Sequence, residues 1–300
     1  MSDTPAPDTV PGPQLAGEDG RFATLAGVDV HHRVTGPADG PPLVLLHHFY
    51  GSVATWRHSL SDLAGPYRVA AFDRPGFGLT ERPPRSAWGE RNPYTRAASA
   101  AITLDLLDEL GTEKAVLVGA SAGGTAALET YARAPERVRA LVLVAPAISG
   151  DVGPPSFLRT VMRTPQGQRL GPRLVRRVAG EVDRDRVAGG WADPTRATAE
   201  DVAAYADPLQ VDRWDEGLWH VFSAEPPPDL SDLLPRIEVP TLVVSGDRDR
   251  TIAPRTNRRT ASRIPGAEYV ELERCGHTPH EECPDAFAAT VRDFLERLDG

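Results

Sequence analysis

Cysteine is nearly absent from this chain of 300 residues, with Cys275 and Cys283 as its only two. Two thiols build neither a disulfide framework nor a four-ligand zinc site, so they read as small buried fillers of a protein kept in a reducing compartment. Long apolar runs are also missing. The longest, residues 140–147, falls far short of the roughly 20 residues that a membrane-crossing helix needs. An excess of positive charge is missing too: 33 Lys and Arg stand against 42 Asp and Glu, a net charge of −9, which repels a nucleic-acid backbone on average. The first twenty residues have no basic start and no apolar centre. They carry Pro5, Pro7, Pro11 and Pro13 among acids and small residues, which fits a disordered tail over 1–20 and neither a signal peptide nor an anchor. The expectation is a soluble, cytoplasmic protein whose partner is a small molecule, with no nucleic acid, no membrane and no internal repeat; the oligomeric state stays open.

What the chain does contain is a series of short apolar strands alternating with helical patterns. With 40% hydrophobic residues it can fill one large core carrying an insertion. Residues 21–34 alternate around Ala26-Gly27, the pattern of an edge hairpin. Pro42-Leu43-Val44-Leu45-Leu46 is apolar throughout, as a strand buried on both faces should be, and it ends at His47-His48-Phe49-Tyr50-Gly51. A short helix over 54–63, a strand at 68–72 and the glycine-rich turn Asp73-Arg74-Pro75-Gly76-Phe77-Gly78 follow. Ile102, Leu106, Leu107 and Leu110 form one helical face that stops at Gly111. Further strands are expected at 116–120, 141–144, 241–244 and 268–272, and a last helix buries Phe287, Val291, Phe294, Leu295 and Leu298. Strands alternating with helices predict a mostly parallel, eight-stranded sheet with helices on both faces, an α/β architecture. The alternation stops at residue 149. From there to 228 only amphipathic stretches occur, among them Trp214, Leu218, Val221 and Phe222 at helical spacing, which predicts a helical lid set into a core of 21–148 and 229–300. Its arginines, including Arg159, Arg163, Arg169, Arg173, Arg176 and Arg177, read as a solvated face rather than a phosphate site.

The stretch with the most chemical content is Val116-Leu117-Val118-Gly119-Ala120-Ser121-Ala122-Gly123-Gly124. A strand that turns into a helix within so few residues strains the residue at its apex, and side chains two positions to either side would collide there. Glycine at 119 and 123 removes that collision. Ser121 then stands clear of the sheet, and the helix beginning near Ala122 points free N–H groups and its positive dipole end at whatever Ser121 attacks. A serine hydroxyl is a weak nucleophile until a base takes its proton, and the base needs a carboxylate to orient it and stabilise its cation. Two later strand ends offer these groups. One reads Ser245-Gly246-Asp247-Arg248-Asp249, and the other leads to Arg274-Cys275-Gly276-His277, giving the order Ser, Asp, His.

On these residues the chain resembles the α/β-hydrolase fold family from about Arg21 to Leu298. The motifs that carry the resemblance are Gly119-Ala120-Ser121-Ala122-Gly123, the turn from Asp73 to Gly78, the acid turn from Gly246 to Asp249, and Gly276-His277. It implies that Asp249 rather than Asp247 is the acid, with Asp151 marking the place where some members keep it instead. It also implies two backbone oxyanion donors, Ala122 N–H just after the serine and Phe49 N–H just beyond a His-Gly pair. Here the pair reads His47-His48, so the glycine is missing. His48 could instead contact substrate or line an aromatic mouth.

The resulting expectation is a Ser121–His277–Asp249 hydrolase of a small, partly apolar ester, lactone or thioester, with no cofactor and no metal. His277 and His280 lack a third ligand at credible spacing. Serine at the apex argues against the dehalogenase and epoxide hydrolase relatives, which need a carboxylate there. Carbon–carbon bond hydrolysis of a diketone-like substrate and perhydrolysis use the same three residues. A non-catalytic receptor on the same fold is the alternative of another class. A pocket beneath Trp214 and Phe222 would set substrate preference.

Overall fold

The computed structural model describes residues 9–89, 91–148, 154–224 and 229–300. Asp151 lies outside the described residues, as do both ends of the expected lid. Eight strands form one sheet: β1 (Arg21–Leu25), β2 (Val28–Thr35), β3 (Pro42–Leu46), β4 (Arg68–Phe72), β5 (Ala115–Ala120), β6 (Val138–Val144), β7 (Thr241–Gly246) and β8 (Glu268–Leu272). Their spatial order is β1-β2-β4-β3-β5-β6-β7-β8, with β1, β2 and β4 paired antiparallel and every other pair parallel. The hairpin at the edge turns through Ala26 and Gly27, both at positive φ.

Strand alternation builds two apolar layers. Val44, Leu46, Phe72, Leu117 and Leu143 face one side, where α2 (Arg96–Glu109) and α3 (Ala122–Arg133) bring Ile102, Leu106 and Leu128. Leu43, Leu45, Val69, Val118 and Val142 face the other, where α1 (Arg57–Asp62) and α11 (Pro284–Asp299) bring Leu60, Phe287, Val291 and Phe294. After β3 the chain adds β4 on one side, then crosses back to place β5 on the other. Such a reversal opens a crevice beyond the carboxyl ends of the two strands, which is where the residues after β3 and after β5 sit.

Among the described residues five α-helices lie between β6 and β7: α4 (Ser156–Met162), α5 (Pro165–Ala179), α6 (Arg184–Val187), α7 (Ala199–Ala206) and α8 (Trp214–Ser223). Trp214, Leu218 and Trp219 of α8 pack with Val175 and Ala179 of α5. The arginines of this insertion are not one solvated face: Arg159 is only 8% exposed, Arg163 donates to the Ser223 carbonyl and Arg176 pairs with Asp215. By contrast, Phe157, Val161, Leu170, Leu174 and Val178 of α4 and α5 point outward, Phe157 being 71% exposed. After β7 come α9 (Pro254–Arg263) and, beyond β8, the single turn α10 (Pro279–Glu282).

Two expectations need correction. Residues 9–20, read as part of a disordered tail, are ordered, and Val10 is tied to the insertion. Val10 N–H donates to the Gln210 carbonyl and the Val10 carbonyl accepts from Asp212 N–H, both at 2.9 Å, while Gly12 is buried against Leu79. A proline-rich segment lacks the pattern of a sheet strand, yet one bridge needs only two free backbone groups. Residues 1–8 lie outside the described residues. The cysteines are not separate fillers: Cys275 and Cys283 form a disulfide, with Cα atoms 6.2 Å apart. Glu282 accepts from Gly276 N–H at 2.6 Å, curling residues 276–282 back so that the two sulfurs meet. The inference of a reducing compartment from unpaired thiols therefore loses its basis.

The sheet leaves almost no space beneath the crevice. A Cβ added to Gly123 would lie 2.0 Å from the Leu46 carbonyl oxygen, and one added to Gly119 would lie 2.5 Å from the Gly123 oxygen. Both neighbours are backbone and cannot yield as a flexible side chain would. Gly123→Ala is expected to lower stability by about 1–3 kcal/mol, the usual cost of overpacking, measured by urea unfolding.

Candidate active site

Ser121 occupies the one-residue turn between β5 and α3 with φ 48° and ψ −110°, a region that side-chain-bearing residues rarely adopt. Its backbone is pinned on both sides. Ser121 N–H donates to the Val144 carbonyl at 2.8 Å, and the Ser121 carbonyl accepts from Gly124 and Ala147 N–H at 3.0 and 3.2 Å. Ala122 opens α3, so its N–H has no partner within the helix, and no acceptor among the described residues takes it.

The second donor expected from the sequence, Phe49 N–H, also finds no acceptor among the described residues. It lies in the loop after β3, and a buried cation fixes that loop. The Arg74 guanidinium donates to the carbonyls of His47 and His48 at 2.9 and 3.0 Å. His47, fully buried, accepts from Arg74 N–H at Nε2 and donates from Nδ1 to the His48 carbonyl. Burial, with the neighbouring Arg74 charge, pushes the His47 pKa down to about 3, so the ring stays neutral in this arrangement. Burial likewise lowers Arg74 to about 9, which leaves it charged at neutral pH.

The turn after β4 is built around Asp73. Its carboxylate accepts from Val53 N–H at 2.6 Å, from Leu79 N–H at 2.7 Å and bonds His31 Nδ1 at 2.7 Å. Gly78 is glycine because a Cβ there would lie 1.9 Å from Asp73 Cγ. The sequence marked this turn only by its glycines; Asp73 and Arg74 are what join it to the loop after β3.

At the ends of β7 and β8, Asp249 Oδ2 lies 2.9 Å from His277 Nδ1, and Oδ1 accepts from Thr251 and Ile252 N–H at 2.8 and 2.9 Å. Asp247 has a different partner, accepting from Cys275 N–H at 3.1 Å. Ser121 Oγ makes no hydrogen bond with His277 among the described residues. Such bonds are often loose in a ligand-free site and tighten when substrate binds. The insertion reaches this histidine directly, since His277 N–H donates to the Gly190 carbonyl at 2.7 Å and Glu282 accepts from Ala192 and Asp193 N–H.

His48 is not in the mouth of the crevice. It is buried, with Nε2 2.9 Å from Tyr205 Oη of α7. The mouth is aromatic all the same: Phe49 packs edge-on against Tyr50, Phe77 and Phe222, with ring centroids 4.7–5.4 Å apart. Of the two expected pocket residues, Phe222 reaches Phe49 and Trp214 instead packs within the insertion. His277 and His280 do not converge on one point as ligands, since His277 faces Asp249 and His280 stacks on Trp56 with centroids 4.1 Å apart. Sequence reading missed Arg74, Tyr205 and Glu281, whose residue types carry no signal until the fold places them.

A family model described as the alpha/beta hydrolase fold matches residues 41–284. The 2-hydroxymuconate semialdehyde hydrolase of Pseudomonas sp. (strain CF600) is 31% identical over 297 residues, covering 96% of this chain and 97% of that one. An uncharacterized carboxylesterase, nap, of Bacillus subtilis (strain 168) is 26% identical over 287 residues, covering 90% and 84%. Among solved structures, a thermophilic esterase from Thermogutta terrifontis superposes with a TM-score of 0.75 at 24% identity, covering 93% of this chain and 98% of that one, a likeness of fold.

Arg74 is the test of how the loop after β3 is held. Arg74→Met leaves two buried carbonyls without their donor and should cost about 1–3 kcal/mol. It should also speed amide hydrogen exchange over residues 47–51 while leaving exchange in β5 and β6 slow. Unchanged exchange in that loop would show that Arg74 does not position it.

Proposed function

The chain belongs to the alpha/beta hydrolase fold family, and from that premise we propose that it hydrolyses a small, partly apolar ester, lactone or thioester through an acyl-enzyme on Ser121. The observation that supports this reading is a serine in strained backbone followed by Ala122 N–H without an acceptor among the described residues, with the loop holding Phe49 close to the start of α3 and an Asp249–His277 pair at the ends of β7 and β8.

In the proposed cycle Ser121 Oγ attacks the substrate carbonyl while its proton passes to His277 Nε2. Asp249, holding the Nδ1 side, orients the ring and stabilises the imidazolium. The negative charge that forms on the carbonyl oxygen is met by the two N–H groups. His277 then gives its proton to the departing alcohol or thiol, or to the ring oxygen of a lactone. Water, activated in turn by His277, releases the acid and restores Ser121. The five-helix insertion acts as a lid in this reading, with Phe222 and Phe49 supplying apolar contact.

A second reading has a specific observation in its favour, the full-length similarity to the 2-hydroxymuconate semialdehyde hydrolase. In it the same three residues cleave a carbon–carbon bond in a diketone-like substrate. Intact mass after exposure to a fluorophosphonate tests what the readings share: one adduct is expected on the wild type and none on Ser121→Ala. No adduct on either protein would favour a non-catalytic receptor. A panel of short esters, lactones, thioesters and a 2-hydroxy-6-oxo acid separates the readings, and turnover of the oxo acid alone would replace the first with the second.

The acid is assigned by a companion pair. Asp249→Asn should lower turnover by about 10⁴-fold, as expected when the histidine takes the wrong tautomer, while Asp151→Asn leaves it near wild type. The reverse outcome would move the acid to Asp151.

A further inference from the structure

The glycine that the family resemblance led us to expect after His47 is replaced by His48, and the structure shows what surrounds the replacement. His48 Nε2 lies 3.8 Å from Glu281 Oε1, and His280 Nε2 lies 3.8 Å from the same oxygen. Tyr205 Oη stands 2.9 Å from His48 Nε2 and 3.0 Å from both Glu281 oxygens. Each of the three residues His48, His280 and Glu281 offers a ligand atom within 4.8 Å of the others, and all three are buried.

Hydrogen bonds alone do not satisfy this group. Among the described residues neither nitrogen of His280 has a hydrogen-bond partner, although the residue is fully buried, and His48 Nδ1 is also unpartnered. Both tautomers of His48 leave Nδ1 without a partner among the described residues. Proteins rarely leave buried polar atoms in that condition without a compensating partner.

We propose that His48, His280 and Glu281 form a binding site for a divalent transition-metal cation of the zinc class, with Tyr205 Oη beside them as the fourth donor. Four donors around zinc at bonds of about 2.0–2.1 Å stand about 3.3 Å from one another. The observed separations fall on both sides of that value, so modest side-chain shifts close the site. Two imidazoles and a carboxylate suit zinc, cobalt or nickel rather than calcium or magnesium, which prefer oxygen alone. Burial keeps both histidines neutral, the form that binds metal, and pushes Glu281 up to about 8. The nearest guanidinium, Arg57, is already paired with Asp201 and Glu200.

The ligands come from three separate stretches of chain: the loop after β3, the turn α10 just beyond His277, and, through Tyr205, α7 of the insertion. A bound cation would fasten the insertion to the core. The site is distinct from the Ser121 machinery and does not depend on the proposed reaction.

Full-length, tag-free protein, stripped with a chelator, is titrated with Co²⁺ at pH 7.5 and separately refolded with Zn²⁺ before gel filtration. The wild type should retain one equivalent of zinc and show the visible bands of tetrahedral cobalt, as should Ser121→Ala. Glu281→Gln and His280→Gln, both close in size to the native residue, should bind at least about tenfold more weakly. Circular dichroism confirms that each variant is folded. If His280→Gln fails that check, Glu281→Gln carries the test, since its amide keeps an oxygen for Tyr205. Wild type without stoichiometric metal by either route, or equal uptake by folded Glu281→Gln, would overturn the proposal and leave a hydrogen-bonded cluster only.

Discussion

Everything at the crevice depends on how closely three backbone segments approach beneath Ser121. The Leu46 carbonyl at the end of β3, the turn at Gly119 and the first turn of α3 at Gly123 meet at distances that leave no room for a single methyl group. This contact brings the end of β3 next to the end of β5, and it thereby sets the distance between Phe49 and Ala122. Strain at Ser121 is its local cost. The hydrogen bonds from Ser121 N–H and to the Ser121 carbonyl, together with β3 and β6 on either side of β5, hold the strained residue in place.

A second layer of constraint lies behind the first and is polar. Arg74 joins the turn after β4 to the loop after β3, and Asp73 anchors that turn to β2 and to the segment before α1. Each of these groups is buried, so each matters more than a surface contact of the same geometry. The layer extends through His48 and Tyr205 into the insertion. The crevice thus rests on the apolar sheet below and on charged and hydrogen-bonded groups at its sides.

Much of this was legible in the sequence where a short-range rule applies. Period-two and continuous apolar runs located all eight strands, and Gly119, Ser121 and Gly123 revealed the turn because its physics involves only adjacent residues. Strand ends and chain order singled out the stretches holding Asp249 and His277, the family resemblance preferred Asp249 over Asp247, and the structure places Asp249 beside His277. What was not legible depends on contacts between distant segments. Nothing in Cys275 or Cys283 says that residues 276–282 curl back on themselves. Val10 pairs with a bridge 201 residues away by sequence, and His48 looked like part of an aromatic mouth until Tyr205 of α7 was seen to cover it. Arg159 sat among surface arginines in the pattern and is buried in the fold.

The insertion is fastened unevenly. Around residues 190–207 it is bound to the histidine loop through Gly190, Ala192 and Asp193, to α1 through Asp201 and to α10 through Tyr205. Around α4 and α5 it instead turns apolar side chains outward. An insertion attached in this way does not swing as one flap, because lifting residues 190–207 would pull on the backbone of His277. On the proposed function, opening would be divided in space: α4 and α5 would shift to admit a molecule while the segment at 190–207 holds the imidazole in register. On the proposed function, access to the crevice and the alignment of His277 would be mechanically decoupled, so the entrance could change its shape, or over evolution its sequence, without disturbing that ring.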